Sequence, residues 1–316
     1  MRDASGPHGR PFARYTKYIL NNLGMRGPDV AAAKRPDVIR VVALGASETF
    51  GLYESPGREF PRQLEDSLRS CGRFEVINGA LIGMLLPTED EYLRLRVAAL
   101  HPDIVVLYPS PPQYLLDSVP TATPPDTTPG AGHDINWLQL RVAQRLADRL
   151  NSLIPARIRY YFRRRDLEAR AREWHFDAVP TDRLARFEAD LRHVVGTVRD
   201  IGARPVLMTH ADVFMAEGPS NKVLLEQWRQ FYPHAAGTTL IQFDSAAAVA
   251  TRTIAERESV PVVDLAAIVR DSLSHPARSY FGDYEHFTDA GAGIVARVLR
   301  PTVLGAAGRT CVSYRP

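Results

Sequence analysis

Two stretches at opposite ends of the 316-residue chain carry residue types that can do chemistry together. In Gly45-Ala46-Ser47 a serine follows the apolar run Val38 to Leu44, and in Asp283-Tyr284-Glu285-His286 an aspartate precedes a histidine by three residues. A serine hydroxyl is a weak nucleophile at neutral pH. It needs an imidazole to take its proton and a carboxylate to fix the imidazole tautomer. On a turn, the Asp-x-x-His spacing leaves the carboxylate near one ring nitrogen while the other points towards a nucleophile. The competing reading makes Ser47 a helix N-cap and nothing more, because serine is favoured there. The glycines at 45 and 51 do not form a phosphate loop, since five residues separate them and Leu52 follows where a lysine is required. The Gly-x-Gly-x-x-Gly dinucleotide pattern and the Gly-x-Ser-x-Gly elbow are absent too.

Something must hold these residues together across most of the chain. Five short runs, Val38 to Leu44, Phe74 to Ile77, Asp103 to Tyr108, Arg204 to Thr209 and Val260 to Leu265, are nearly continuous in Val, Ile and Leu. That pattern suits strands buried on both faces of a parallel sheet. Between them lie segments of helical period: Phe60, Leu64 and Leu68 on one stripe, a stretch opening at Pro87 with early acids, and Leu184, Phe187, Leu191 and Val194. The alternation predicts a single domain, a three-layer α/β/α sandwich around a mostly parallel five-stranded, flavodoxin-like sheet. Ser47 then lies just beyond the carboxyl end of the first strand, where open α/β sheets bind ligands. Thr288 is placed to cap the last helix.

The two ends together resemble the SGNH or GDSL hydrolase superfamily. The family's Gly-Asp-Ser is Gly45-Ala46-Ser47 here, so the middle acid is missing while the nucleophile remains. Val76 to Gly83, "VINGALIG", looks like the second block, which carries Asn78 and Gly83 into the family's oxyanion and substrate-binding positions. The third block departs from Gly-x-Asn-Asp: Pro112 stands where the asparagine would be, with Gln113 one position on as a substitute donor and Ser110 and Tyr114 nearby. Losing one oxyanion donor costs ~3 kcal/mol of transition-state stabilisation. What the resemblance implies is a serine esterase acting on a carbohydrate, lipid or small-molecule O-acyl ester, with Ser47, His286 and Asp283 as nucleophile, base and orienting acid. O-acyl transfer by the same triad and a ligand-binding protein with decayed catalysis are the alternatives. No cofactor and no metal are implied, and none of the common metal-binding motifs occurs.

The remaining features bound this reading. A formal charge of +3 gives no reason to expect nucleic acid as a partner. From about 115 to 180 the strand and helix alternation fails, in a Pro/Thr/Gly-rich loop followed by a helical insertion with ten arginines against three acids between Arg141 and Arg172. It reads as a basic solvated surface, or alternatively as a docking face for an anionic substrate, an acyl carrier or a membrane surface. No secretory leader and no run of about 20 apolar residues is present, so a cytoplasmic protein is expected. Cys71 and Cys311 read as reduced thiols. Glu48, Asp103 and Asp264 are expected to serve as turn, capping or ion-pair residues, and His210 as a hydrogen-bonded structural histidine.

Overall fold

The computed structural model describes residues 2–3, 6–15, 17–31, 33–116, 165, 169, 174–272 and 279–311. Five parallel strands form the central sheet: β1 (Ile39–Gly45), β2 (Phe74–Asn78), β3 (Ile104–Tyr108), β4 (Arg204–Met208) and β5 (Val262–Val263). Their order is β2-β1-β3-β4-β5. Continuous apolar runs can be buried on both faces, and Val41 to Leu44, Ile104 to Leu107 and Val206 to Met208 have no measurable exposure. β5 is shorter than its apolar run because Pro261 lacks an amide hydrogen and Asp264 turns out to cap the next helix, accepting from the Ala267 amide at 3.2 Å.

After the four-residue α1 (Ser47–Phe50) come α2 (Phe60–Leu68), α3 (Leu86–Tyr92), α4 (Thr181–Asp200), α5 (Gly237–Arg257), α6 (Leu265–Ser272) and α7 (Asp289–Ala306). α2 packs on α7, while α4 packs on both α3 and α5. These two groups make the helical layers of the sandwich. α5 is an element that the sequence reading above does not name. Its buried stripe, Leu240, Phe243, Ala247, Thr251 and Ile254, is dilute in large apolar residues but keeps helical spacing. The Thr288 cap forms as expected, with Oγ1 accepting from the Gly291 amide at 3.3 Å.

One expectation is corrected. Cys71 and Cys311 are joined as a disulfide, with Cα atoms 4.7 Å apart, because the turn after α2 and the chain beyond α7 end side by side. Arg300 Nη2 donates to both sulfurs. Structural disulfides persist mainly in oxidising compartments, so the bond removes the support that reduced thiols would lend to a cytoplasmic setting. No helix among the described residues is long and apolar enough to cross a membrane. The arginine-rich insertion at about 115–180 lies largely outside the described residues.

Candidate active site

β1 sits between β2 and β3, so its carboxyl end is the point where the strand order reverses. Gly45 pairs with Tyr108 across the β1–β3 ladder. A Cβ on Gly45 would lie 2.3 Å from Thr49 Oγ1 and 2.5 Å from the Tyr108 carbonyl, so only glycine lets the chain turn this tightly into α1. Ser47 is the first residue of α1, and the cap position belongs to Ala46, which makes no side-chain cap bond. The hydroxyl is therefore free of the capping duty that was its competing explanation. Gly51 closes the short helix in the left-handed conformation, φ 87°. The buried Arg26 then clamps the segment, donating to the carbonyls of Phe50, Gly51, Glu54 and Ser55 and pairing with Glu59 at 3.3 Å.

Asp283 and His286 come to this hydroxyl from the loop before α7. His286 Nε2 lies 2.9 Å from Ser47 Oγ, and Nδ1 lies 2.8 Å from Asp283 Oδ2. Asp283 Oδ1 also accepts from the amides of Glu285 and His286, at 3.0 and 2.9 Å, which fixes the carboxylate within its own turn. Burial alone would raise the Asp283 carboxyl, but the hydrogen bond and charge of His286 and these two amides hold it below the usual carboxylate range. For His286, burial disfavours the charged ring. The Asp283 bond and the nearby Glu48 and Glu285 carboxylates outweigh it and raise the imidazole to about 9. Tyr53 flanks the ring at a centroid distance of 5.4 Å.

A second, sealed cluster lies beside Ser47. His210, at the end of β4, is 2.8 Å from Asp244 Oδ2 through Nδ1 and 3.3 Å from Glu48 Oε1 through Nε2. The expectation of a hydrogen-bonded histidine holds, but its partners make it an imidazole between two carboxylates. Burial pulls its pKa down, and Asp244 and Glu48 push it well above the ordinary value. Burial likewise opposes ionisation of Glu48, but His210 holds it at about 2. Burial and the adjacent Asp244 push Asp212 far up, and a proton held there is the donor the Asp212–Asp244 pair otherwise lacks. Glu48, His210 and Glu285 place ligand atoms within 4.8 Å of one another, a spacing that a small cation could span. Protonated His210 already supplies positive charge at this point.

The expected oxyanion residues are placed unequally. The Ser47 amide, at the first position of α1, has no partner within the helix. Gly83 adopts φ 74°, and a Cβ there would meet nothing within 4 Å, so its backbone borders open space. The turn that carries it is tied beside Ser47 by a bond from the Leu81 amide to the Gly45 carbonyl at 3.3 Å. Asn78 spends its side chain on scaffolding: its amide donates to the Thr49 and Phe50 carbonyls and its oxygen accepts from the Ala80 amide. Ser110 and Gln113 are buried in the turn after β3, with no side-chain hydrogen bond to Ser47 or His286. Tyr114 turns to α4, donating to Asp190 at 2.8 Å. Asp103 and Asp264 make the ion pairs expected of them, with Lys34 and Arg252.

Residues that sequence reasoning missed are Tyr53, Asp244, Asp212 and Glu285. Glu285 was visible in the Asp283 to His286 turn, whereas Asp244 belongs to the unread α5.

A scan against protein-family models and a search of curated proteins each find no match. Among solved structures, the chain is similar to a catalytic mutant of Axe2, an acetylxylan esterase from Geobacillus stearothermophilus. The identity is 14% and the TM-score 0.48, covering 90% of this chain and 100% of that one. It is similar to TesA at 10% identity and TM-score 0.48, covering 84% and 99%. A putative lipolytic protein of the G-D-S-L family from Desulfitobacterium hafniense gives 12% and 0.46, covering 83% and 98%.

Proposed function

We propose that the protein is a serine esterase of the SGNH type. The carrying observation is the unbroken hydrogen-bonded line Ser47 Oγ, His286 Nε2, His286 Nδ1, Asp283 Oδ2, with links of 2.9 and 2.8 Å. A neutral His286 takes the Ser47 proton as the hydroxyl attacks the ester carbonyl. Asp283 holds the imidazole in the tautomer with its lone pair on Nε2 and stabilises the imidazolium that forms. The Ser47 and Gly83 amides receive the developing oxyanion, and Gln113 or Ser110, in the turn after β3, is the third donor. His286 returns its proton to the departing alcohol. A water, or an acceptor alcohol in the transfer variant of the reaction, then resolves the acyl-enzyme.

The substrate is an O-acyl ester of a small molecule, glycan or lipid. Asn78 acts at one remove, by holding the turn beneath the nucleophile. The test is hydrolysis of p-nitrophenyl butyrate by wild type and Ser47→Ala. The proposal expects turnover that falls to the buffer rate in the variant; equal rates would defeat it.

A further inference from the structure

Ser47 Oγ stands between two groups. His286 Nε2 lies 2.9 Å away, and Glu48 Oε2, on the next residue of α1, lies 3.4 Å away. Glu48 is 2% exposed, and a carboxylate withdrawn from water costs free energy unless it is paired. The fold pairs it. His210 Nε2 meets Oε1 at 3.3 Å and Asp244 holds His210 Nδ1 at 2.8 Å, which leaves Oε2 turned to the hydroxyl. His210 and Asp244, neither of them in the triad, thus keep an ionised carboxylate beside Ser47.

Counting protons shows what that carboxylate does. A serine hydroxyl has one proton to donate and lone pairs with which to accept. While His286 is neutral, with its Nδ1 proton on Asp283, the Nε2 lone pair takes the Ser47 proton and Glu48 is an idle second acceptor at the longer distance. Once His286 is protonated, Nε2 becomes a donor. Ser47 Oγ then accepts from it, and the hydroxyl proton needs another acceptor. Glu48 Oε2 is in place to be that acceptor. A line from His286 Nε2 through Ser47 Oγ to Glu48 Oε2 is charge-assisted at both ends and favours the imidazolium.

We infer, on the premise of the esterase reading, that Glu48 is a positioning residue for the nucleophile: it accepts the Ser47 proton whenever His286 is protonated, and so locks the hydroxyl in a resting arrangement that opens only as the imidazole is neutralised. Other groups act on the same pair. Glu285 and Asp283 do so from the loop before α7, Glu89 from α3 and Glu54 from the chain after α1, and burial raises Glu285, Glu89 and Glu54 to about 8. Burial also pushes up the phenols of Tyr53, Tyr108, Tyr232 and Tyr284, which therefore stay neutral while His286 titrates. These background charges call for a double-mutant cycle, in which they cancel.

The test reads His286 directly, by NMR titration of protein carrying carbon-13 at histidine Cε1, with the His286 signal assigned by its loss in His286→Gln. Wild type, Glu48→Gln, Ser47→Ala and the double variant are titrated. In Glu48→Gln the amide carbonyl accepts from His210 and the amide NH₂ faces Ser47, so a donor replaces the acceptor. The His286 midpoint should fall by about one pH unit from wild type to Glu48→Gln, and by clearly less from Ser47→Ala to the double variant, where no hydroxyl links the two groups. The acid limb of kcat/KM for p-nitrophenyl butyrate should move to lower pH in Glu48→Gln alongside, which a purely structural loss would not produce. Equal falls in both backgrounds would reduce Glu48 to a through-space charge and overturn the inference, as would an unmoved midpoint. Should Glu48→Gln fail to fold, wild type against Ser47→Ala decides: a lower midpoint in Ser47→Ala is expected, and an equal or higher one overturns the inference. The expected coupling without Ser47-dependent turnover of any ester would defeat the esterase reading and leave the hold of Glu48 on the hydroxyl standing.

Discussion

Two histidines stand at the carboxyl edge of the same sheet, and each bonds an aspartate through Nδ1 at 2.8 Å, His286 to Asp283 and His210 to Asp244. They differ in what faces the other nitrogen. For His286 it is a serine hydroxyl at 2.9 Å, and for His210 it is the Glu48 carboxylate at 3.3 Å. An imidazole between two carboxylates is held protonated and cannot act as a base. An imidazole between a carboxylate and a hydroxyl has a proton to take. The Asp–His pair is therefore common to both sites, and in the proposed mechanism the third group decides whether it does chemistry or holds charge in place. Glu48 belongs to both arrangements, because its Oε2 lies 3.4 Å from Ser47 Oγ while its Oε1 meets His210.

The comparison can be broken most directly by removing the same atom from each pair. Asp283→Asn should leave the fold intact and lower kcat/KM by about 10⁴, through loss of the required tautomer. Asp244→Asn should instead destabilise the protein by about 3–5 kcal/mol, because it strips one partner from a buried charged histidine. Activity assays and denaturant titrations of both variants separate the two roles, and similar activity losses at unchanged stability would erase the distinction. A smaller effect is expected from Arg26→Met, which removes four carbonyl contacts and the Glu59 pair beneath α1. We expect a loss of about 3 kcal/mol in unfolding free energy together with reduced kcat, rescued in neither respect by added salt.

The smallest effect sharpens the electrostatics. With His286 raised to about 9, the neutral base becomes more abundant as pH rises, so kcat/KM should climb from pH 7 to about 9 and level off only above that. Burial, then the Glu48 charge, raises Glu285 to about 8, so its ionisation adds negative charge beside His286 over the same range. Glu285→Gln removes that charge and should move the limb to lower pH. An unmoved or upward-shifted limb in the pH–rate profile would count against this coupling.

The sheet was readable in the sequence because both-face burial writes itself as uninterrupted Val, Ile and Leu. β5 was over-read, since apolar residues continue past the point where Pro261 and Asp264 end the ladder. α5 escaped because alanines and threonines carry its buried stripe, and the cluster around Asp244 escaped with it. Ser47, Asp283 and His286 could be picked out by residue type and local turn spacing, whereas Tyr53 could not, because its place against His286 depends on Gly282 leaving room for the ring. The pairing of Cys71 with Cys311 follows from where α2 and the last helix end, which a separation of 240 residues does not encode.

Intact-mass spectrometry after treatment with a fluorophosphonate addresses the nucleophile itself. The account predicts a single phosphonyl adduct on wild type, mapped by peptide fragmentation to Ser47, with labelling slowed by the His286→Ala substitution and absent from Ser47→Ala. An adduct of equal yield on Ser47→Ala, or one mapped to another residue, would contradict it.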